Sequence, residues 1–428
     1  MDVPNPSGGP PVTGRQHRLP NLRVTDLKTF VVDSGNDENW VFAKVFTNEG
    51  ITGLGVGTIP AKAKSVEAAV LEHRRYLVGK NPADIERLWQ GMFRGPRRRG
   101  GPILMSAIAA VDIALWDILG QALQVPIWQL LGGKARDRVR IYAHAGWPEK
   151  HGRRTAYRIW QERPPDTSLP EPPADWMERK VRSWTEVKEA GFTACKGNFL
   201  PTRGDVIEPT RNVRQGIELL AALREALGPD FDILCELHGQ ATLPMARDFC
   251  CQAEAYRPMW VEEPTQQELV CELAALRQHT SVPLAAGERL FDKFGFTELC
   301  ARQLVDYVQP DVMQGGGITE VRKIGALAEA FRVQVAPHNP GCEVATVAAM
   351  HLCAALPNAV ILEIGSGQTP YFEDLFNGGL FTVENGYAPL PDRPGLGVTL
   401  NEEIAARYPY EPKTWMLPLA TDGAYLDR

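Results

Sequence analysis

The chain has no strong excess of either charge: 46 Lys and Arg stand against 52 Asp and Glu, a formal net charge of −6. Such mild acidity gives no reason to expect a nucleic-acid partner, which favours basic faces. No uncharged apolar run reaches the roughly 18–20 residues that a membrane helix needs, so no membrane partner is expected. The first residues, MDVPNPSGGPPVTGRQHRLP, lack the apolar segment of a targeting sequence, and their prolines and glycines suit a flexible tail over 1–20. Cysteine is scarce. All eight lie between Cys195 and Cys353, with no C-x-x-C pair and with Cys250 beside Cys251. That spacing offers no zinc site, and a disulfide framework is out of character in a chain of 428 residues. Reduced thiols and a cytoplasmic location are the expectation. With 44% hydrophobic and 23% charged residues, disorder, collagen-like repetition and coiled coil are excluded.

What is present divides into textures. Residues 22 to 57 alternate apolar and polar positions in LRVTDLKTFVVD and WVFAKVFT, and Asn48-Glu49-Gly50 turns the chain into ITGLGVG, which predicts an antiparallel meander. Helical pattern follows in AKSVEAAVLEHRRYLVG and in PADIERLWQGMF, where Pro82 suits a first helical turn. SAIAAVDIALWDILGQALQ is apolar almost all round and predicts a buried helix. These elements make an α+β unit over 21–135. From Arg138 the chain repeats strand and helix: RVRIYAHA, FTACKGN, FDILCELHG, MWVEEP, VPLAAGE, VDYVQPD, VQVAPH and AVILEIG. Long connections between strands imply a parallel sheet, and eight such units over 136–370 favour a closed barrel. A Pro-rich stretch over 148–178 interrupts the first unit. The segment 371–428 returns to irregular texture and is expected to pack back on the N-terminal unit.

The polar residues at the strand ends carry the chemistry. Glu236, Glu262 and Glu288 close three successive strands at spacings of 262 − 236 = 26 and 288 − 262 = 26, one strand–helix unit each. Any one of them would serve equally in a surface salt bridge. Three in register at the carboxyl mouth of adjacent strands repel one another unless a cation joins them, and oxygen-only ligands suit Mg²⁺. Asp311 and His338 lie 338 − 311 = 27 apart, on the next two strand ends. A carboxylate beside an imidazole fixes its tautomer and raises its basicity, as a general base requires, whereas a lone histidine is more often structural. Glu363 ends the last strand. Lys196 and Asn198, two residues apart, point the same way, and by the same argument His238 faces the mouth beside Glu236.

With these motifs in view, the chain resembles the enolase superfamily and, within it, the mandelate racemase-like group, galactonate dehydratase-type acid-sugar dehydratases above all. The motifs are VEEP at Val261–Pro264, AAGERL at Ala285–Leu290, QPD and GGITE within Gln309–Glu320, APH at Ala336–His338, and DRPGLG at Asp392–Gly397. The resemblance implies an α/β fold, a modified (β/α)₇β barrel of TIM type with a capping domain built from both termini. It implies one Mg²⁺ on Glu236, Glu262 and Glu288, an acid-sugar substrate and a homo-oligomer, dimer or octamer. It also implies that His338, oriented by Asp311, takes the C2 proton and that His238 protonates the departing C3 hydroxyl. Glu363 would hydrogen-bond the substrate carboxylate or the developing enediolate, and Lys196 would add positive charge nearby. The family's usual first ligand is Asp, and here it is Glu236.

Other members of the superfamily are less well matched. A two-base racemase wants a second lysine where Asn198 stands, and a cycloisomerase wants a lysine within Val308–Gly317, which has none. An inactive, metal-binding sensing member is the non-enzyme reading. The sugar itself would be read by cap loops around Ser34–Trp40 and Arg94–Gly101, with Trp40 and Arg98 as candidate contacts beside Asn198, and by the Pro-rich insertion.

Overall fold

The computed structural model describes residues 19–35, 38–145, 175–200, 206–364, 372–378, 382–413 and 419–426. The tail over 1–18 and most of the Pro-rich insertion lie outside them. The alternating N-terminal segments form the antiparallel meander: β1 (Val24–Asp33), β2 (Asn39–Thr47) and β3 (Thr52–Val56), in that order. Five helices follow, Ala63–Glu72, Arg74–Leu77, Ile85–Arg94, Pro102–Leu123 and the short Ile127–Leu130. The third starts later than expected: Pro82 sits in the turn ahead of it, and the helix begins after Asp84.

The helix Pro102–Leu123 has 22 residues and, by length and composition alone, could cross a membrane. Reading only uncharged runs missed this, because Asp112 and Asp117 break the run. The structure buries the helix in the cap core, with 78% of its most apolar window inside the protein. Both acids have partners there. Asp112 accepts from the Thr319 backbone N–H at 3.0 Å and hydroxyl at 2.5 Å, while Asp117 accepts from the backbone of Leu54 and of Leu396, each at 2.9 Å. Burial pushes the Asp112 carboxyl up to about 7 against the pull of those hydrogen bonds. The helix therefore joins meander, barrel and C-terminal segment.

The meander meets this helix through glycines. A Cβ on Gly53, Gly55 or Gly57 would lie 2.0, 1.9 or 2.0 Å from the carbonyl oxygens of Ala114, Ala110 and Ser106. Backbone touches backbone along one face of β3, which no larger residue permits.

The barrel strands are β4 (Arg138–His144), β5 (Ala194–Asn198), β7 (Asp232–Glu236), β8 (Trp260–Glu262), β9 (Leu284–Ala286), β10 (Tyr307–Val308), β11 (Gln334–Val335) and β12 (Leu362–Glu363). A short β6 (Val206–Ile207) stands apart and pairs with Leu419–Ala420. The lateral order is β11-β10-β9-β8-β7-β5-β4-β12, every pair parallel. The ring closes where Val335 bridges Ala359 in parallel and donates its N–H to the Asn358 carbonyl at 2.9 Å. Residues such as Cys195, Ile233, Val261, Val308 and Val335 join the core between sheet and helices. The alternate positions Tyr142, Ala194, Leu234, Trp260, Ala285, Ala336 and Ile361 pack together separately inside the barrel. After the barrel, Tyr387–Pro389 runs antiparallel to the start of β4. Beyond it, Asn39 donates to the Glu411 carbonyl at 2.8 Å and Lys413 lies 2.8 Å from Asp33, so the stretch at 411–413 rests on the cap.

Gly55→Ala is expected to destabilise the protein by about 3 kcal/mol, the upper range of overpacking. Urea unfolding measures it, and an unchanged midpoint would refute the backbone contact.

Candidate active site

The lumen-facing residues climb each strand in steps of two. Above Tyr142, Ala194, Leu234 and Trp260 come His144, Lys196, Glu236 and Glu262, and the register sets His144 beside Lys196 and Glu236 beside Glu262. Glu288 follows β9 by two residues. Ligand oxygens of Glu236, Glu262 and Glu288 lie within 4.8 Å of one another. Glu236 accepts the His238 N–H on Oε1 at 2.6 Å, while its buried Oε2 has no hydrogen-bond partner. Burial and the neighbouring Glu262 push the Glu236 carboxyl well above the usual range, against the pull of Lys196. Burial likewise favours a neutral Glu288, but His338, His238, Lys196 and Arg289 draw it down to about 2. A buried carboxylate oxygen with no hydrogen bond, three converging carboxylates and an all-oxygen donor set fit Mg²⁺.

Lys196 is the buried counter-charge. Its Nζ is 2.6 Å from Glu262 Oε1, 3.1 Å from Glu363 Oε1 and 3.5 Å from Glu236 Oε2. Burial favours the neutral amine, but Glu262 and Glu363 outweigh it and hold the ammonium well above its ordinary range. Glu363 accepts the Tyr142 hydroxyl at 3.3 Å and the Asn339 N–H at 3.0 Å, and touches His144 Nε2. Burial favours protonating Glu363, yet Lys196, His144 and His338 keep it well below its usual value.

His338 completes the arrangement. Asp311 Oδ2 contacts its Nδ1 at 2.8 Å, while Asp311 Oδ1 accepts the backbone N–H groups of Met313 and Gln314 at 2.6 and 3.1 Å. The carboxylate is thus pinned before it pins the imidazole. The ring's Nε2 points to Glu288 Oε2 at 3.3 Å. Burial lowers the imidazole pKa, but Glu288, Glu363 and Asp311 raise it to about 10. His238 takes a left-handed backbone (φ 52°), and Arg289 donates to its carbonyl.

The structure thus gathers Glu236, Glu262, Glu288, Lys196, Asp311, His338 and Glu363, with His238 at their edge. Asn198 is exposed at the end of β5, in register with Glu236. Trp40 is buried on β2, with its ring edge-on to Phe42 at 6.3 Å. Arg98 is exposed on a cap loop whose neighbouring Arg99 lies over the Phe93 ring. Sequence reasoning missed His144, although its two-residue step from Tyr142 carried the same signal that singled out Lys196 and Asn198. It also missed Tyr142, Asn339 and Arg289.

Residues 23–132 match the N-terminal domain of the mandelate racemase/muconate lactonizing enzymes, and residues 176–404 match the enolase C-terminal domain-like model. This chain belongs to that family of the enolase superfamily. It is 36% identical to a D-galactonate dehydratase from Ralstonia pickettii, over 93% of this chain and 97% of the relative. A D-galactonate dehydratase from Pectobacterium atrosepticum is 35% identical over 94% and 99% of the two chains. Among solved structures, an enolase from Pantoea ananatis with bound d-gluconate and Mg superposes with a TM-score of 0.82 at 28% identity, covering 95% of this chain and 100% of that one. The 3,6-anhydro-D-galactonate cycloisomerase from Zobellia galactanivorans gives 0.76 at 28% identity, over 91% and 100%. Glu236 turns one oxygen onto the His238 N–H and leaves the other toward Glu262 and Lys196.

In chelator-treated protein, the pull on His338 becomes a stability signature. Its folded pKa, about 10, lies above the ordinary 6.5, so protonation stabilises the fold fully below pH 6.5 and that gain is lost as pH rises through 10. The stability gap between wild type and His338→Asn, measured by urea unfolding in EDTA, should be widest near pH 6 and shrink towards pH 10. A gap that widens with pH would refute the charge arrangement.

Proposed function

We propose that this chain is a Mg²⁺-dependent dehydratase of an acid sugar, an aldonate of galactonate type, forming a 2-keto-3-deoxy acid. One observation carries the reading: a histidine fixed by Asp311 and a second histidine at Glu236 border a triad of carboxylates at a barrel mouth. The D-galactonate dehydratase relatives support it.

Glu236, Glu262 and Glu288 would hold the ion. When bound, Mg²⁺ supplies positive charge that stabilises the negative charge developing on the substrate carboxylate as C2 is deprotonated. With Glu288 so engaged, the strongest pull on the His338 proton is relieved. The imidazole, its Nδ1 fixed by Asp311, accepts the C2 proton at Nε2. His238 gives its proton to the C3 oxygen as the C3–O bond breaks, so that water leaves. The resulting enol takes a proton at C3, gives up the proton of its C2 hydroxyl and becomes the 2-keto acid. Lys196, kept as an ammonium, gives the substrate carboxylate a positive neighbour, and Glu363 offers a fixed acceptor beside it. An ammonium so firmly held is a charge and not a base, which weighs against two-base racemisation; Asn198 weighs against it too.

A screen of acid sugars with Mg²⁺, read by a keto-acid assay, tests the proposal. Turnover of at least one aldonate is expected; no turnover of any, with metal bound, would favour an inactive sensing member. EDTA should abolish turnover and leave the far-UV spectrum nearly unchanged, because the ligands sit on separate strands whose packing does not need them. Unfolding on chelation would show a structural ion instead.

The two histidines separate by isotope exchange. His338→Asn should stop both product formation and exchange of the C2 proton with deuterium. His238→Asn should lose about 10²–10⁴-fold in dehydration, the contribution of a general acid, while C2 exchange through His338 persists. Full dehydration by the His338 variant would refute its role as base.

A further inference from the structure

The barrel floor holds a donor that nothing above has used. Trp260 is fully buried, two residues before Glu262 on β8, and packs inside the barrel. Its Nε1–H donates to Glu262 Oε2 at 2.9 Å. The ring lies edge-on to Tyr142, with centroids 5.8 Å apart, and tilted against Tyr307 at 4.9 Å. Two aromatic neighbours and complete burial fix the plane of the indole, and with it the direction of the N–H. Glu262 Oε1 faces Lys196. Its two oxygens therefore have different duties. One is tied to an immobile floor, and the other stays on the side of the ammonium and the remaining carboxylates.

Filling the floor needs only an aromatic ring, and a phenyl group would serve. An N–H directed at a ligand carboxylate does something more, because hydrogen bonds from outside the ligand set orient ligands and tune the ion they hold. We propose that Trp260 is a positioning residue of the metal centre: by holding Oε2 it fixes the Glu262 carboxylate as a one-oxygen ligand and tightens ion binding. The inference rests on the reading of Glu236, Glu262 and Glu288 as a divalent-cation site.

Trp260→Phe keeps the ring and removes the donor. Mn²⁺ titrated into metal-free wild type and variant, followed by the electron paramagnetic resonance of the free ion, reads affinity without substrate. Loss of about 10–100-fold in the variant is the expected result, the size seen when such outer hydrogen bonds are deleted. A role confined to packing would lower the urea midpoint of the metal-free variant and leave Mn²⁺ affinity unchanged; that result overturns the proposal while leaving the metal reading intact. Wild type that binds no Mn²⁺ overturns both. If Trp260→Phe does not fold, wild type labelled with ¹⁵N at its ten indoles carries the test. A buried, slowly exchanging indole N–H resonance should move on addition of Mg²⁺, and ten unmoved resonances refute the assignment.

Discussion

Charge balance inside the barrel mouth governs this molecule. Glu236, Glu262, Glu288 and Glu363 converge on a region where three of the four are completely buried, and Lys196 is the buried ammonium among them. Two like charges 4 Å apart repel by about 4 kcal/mol at the effective dielectric suited to protein sites. One lysine cannot offset four carboxylates. Without an ion, the imbalance shows as a Glu236 carboxyl pushed well above its usual range and a His338 imidazole held protonated at about 10. A divalent cation at Glu236, Glu262 and Glu288 would oppose both effects, because it would add positive charge where the carboxylates converge.

The rest of the fold keeps these charges in place. Rigid parallel strands set the carboxylates one unit apart, and the cap grips the loops beyond the strands. Lys293, five residues after Glu288, pairs with the buried Glu320 at 2.9 Å, while Trp89 of the cap donates to the Gly316 carbonyl at 2.7 Å. Asp112 holds Thr319 in the first turn of the helix that follows Asp311. The loops carrying Glu288 and Asp311 are therefore tied to each other and to the cap. That coupling explains a helix as apolar as Pro102–Leu123 with two acids in it: the apolar faces fill the cap, and the acids reach the barrel and the C-terminal segment.

Much of the fold and site was legible in the chain itself, for a definite reason. Strand and helix periods differ, so the alternation from Arg138 onward announced a parallel barrel, and spacings of 26 residues for Glu236, Glu262 and Glu288 and of 27 for Asp311 and His338 placed each set at neighbouring strand ends. Period-two alternation put Lys196 on the lumen side. Those signals are local or depend on a repeat, and both survive without coordinates. Tertiary structure alone decided the contacts between distant strands. It put Lys196 against Glu262 and Glu363, brought His144 to Glu363 across 219 positions, and packed Trp40 against Phe42. It also buried the longest apolar helix beneath Gly53 and Gly55 of β3 and Gly57 just beyond it. Sequence gives the direction of a side chain on its own strand; only the closed ring fixes which charges on other strands it meets, and that meeting sets their protonation.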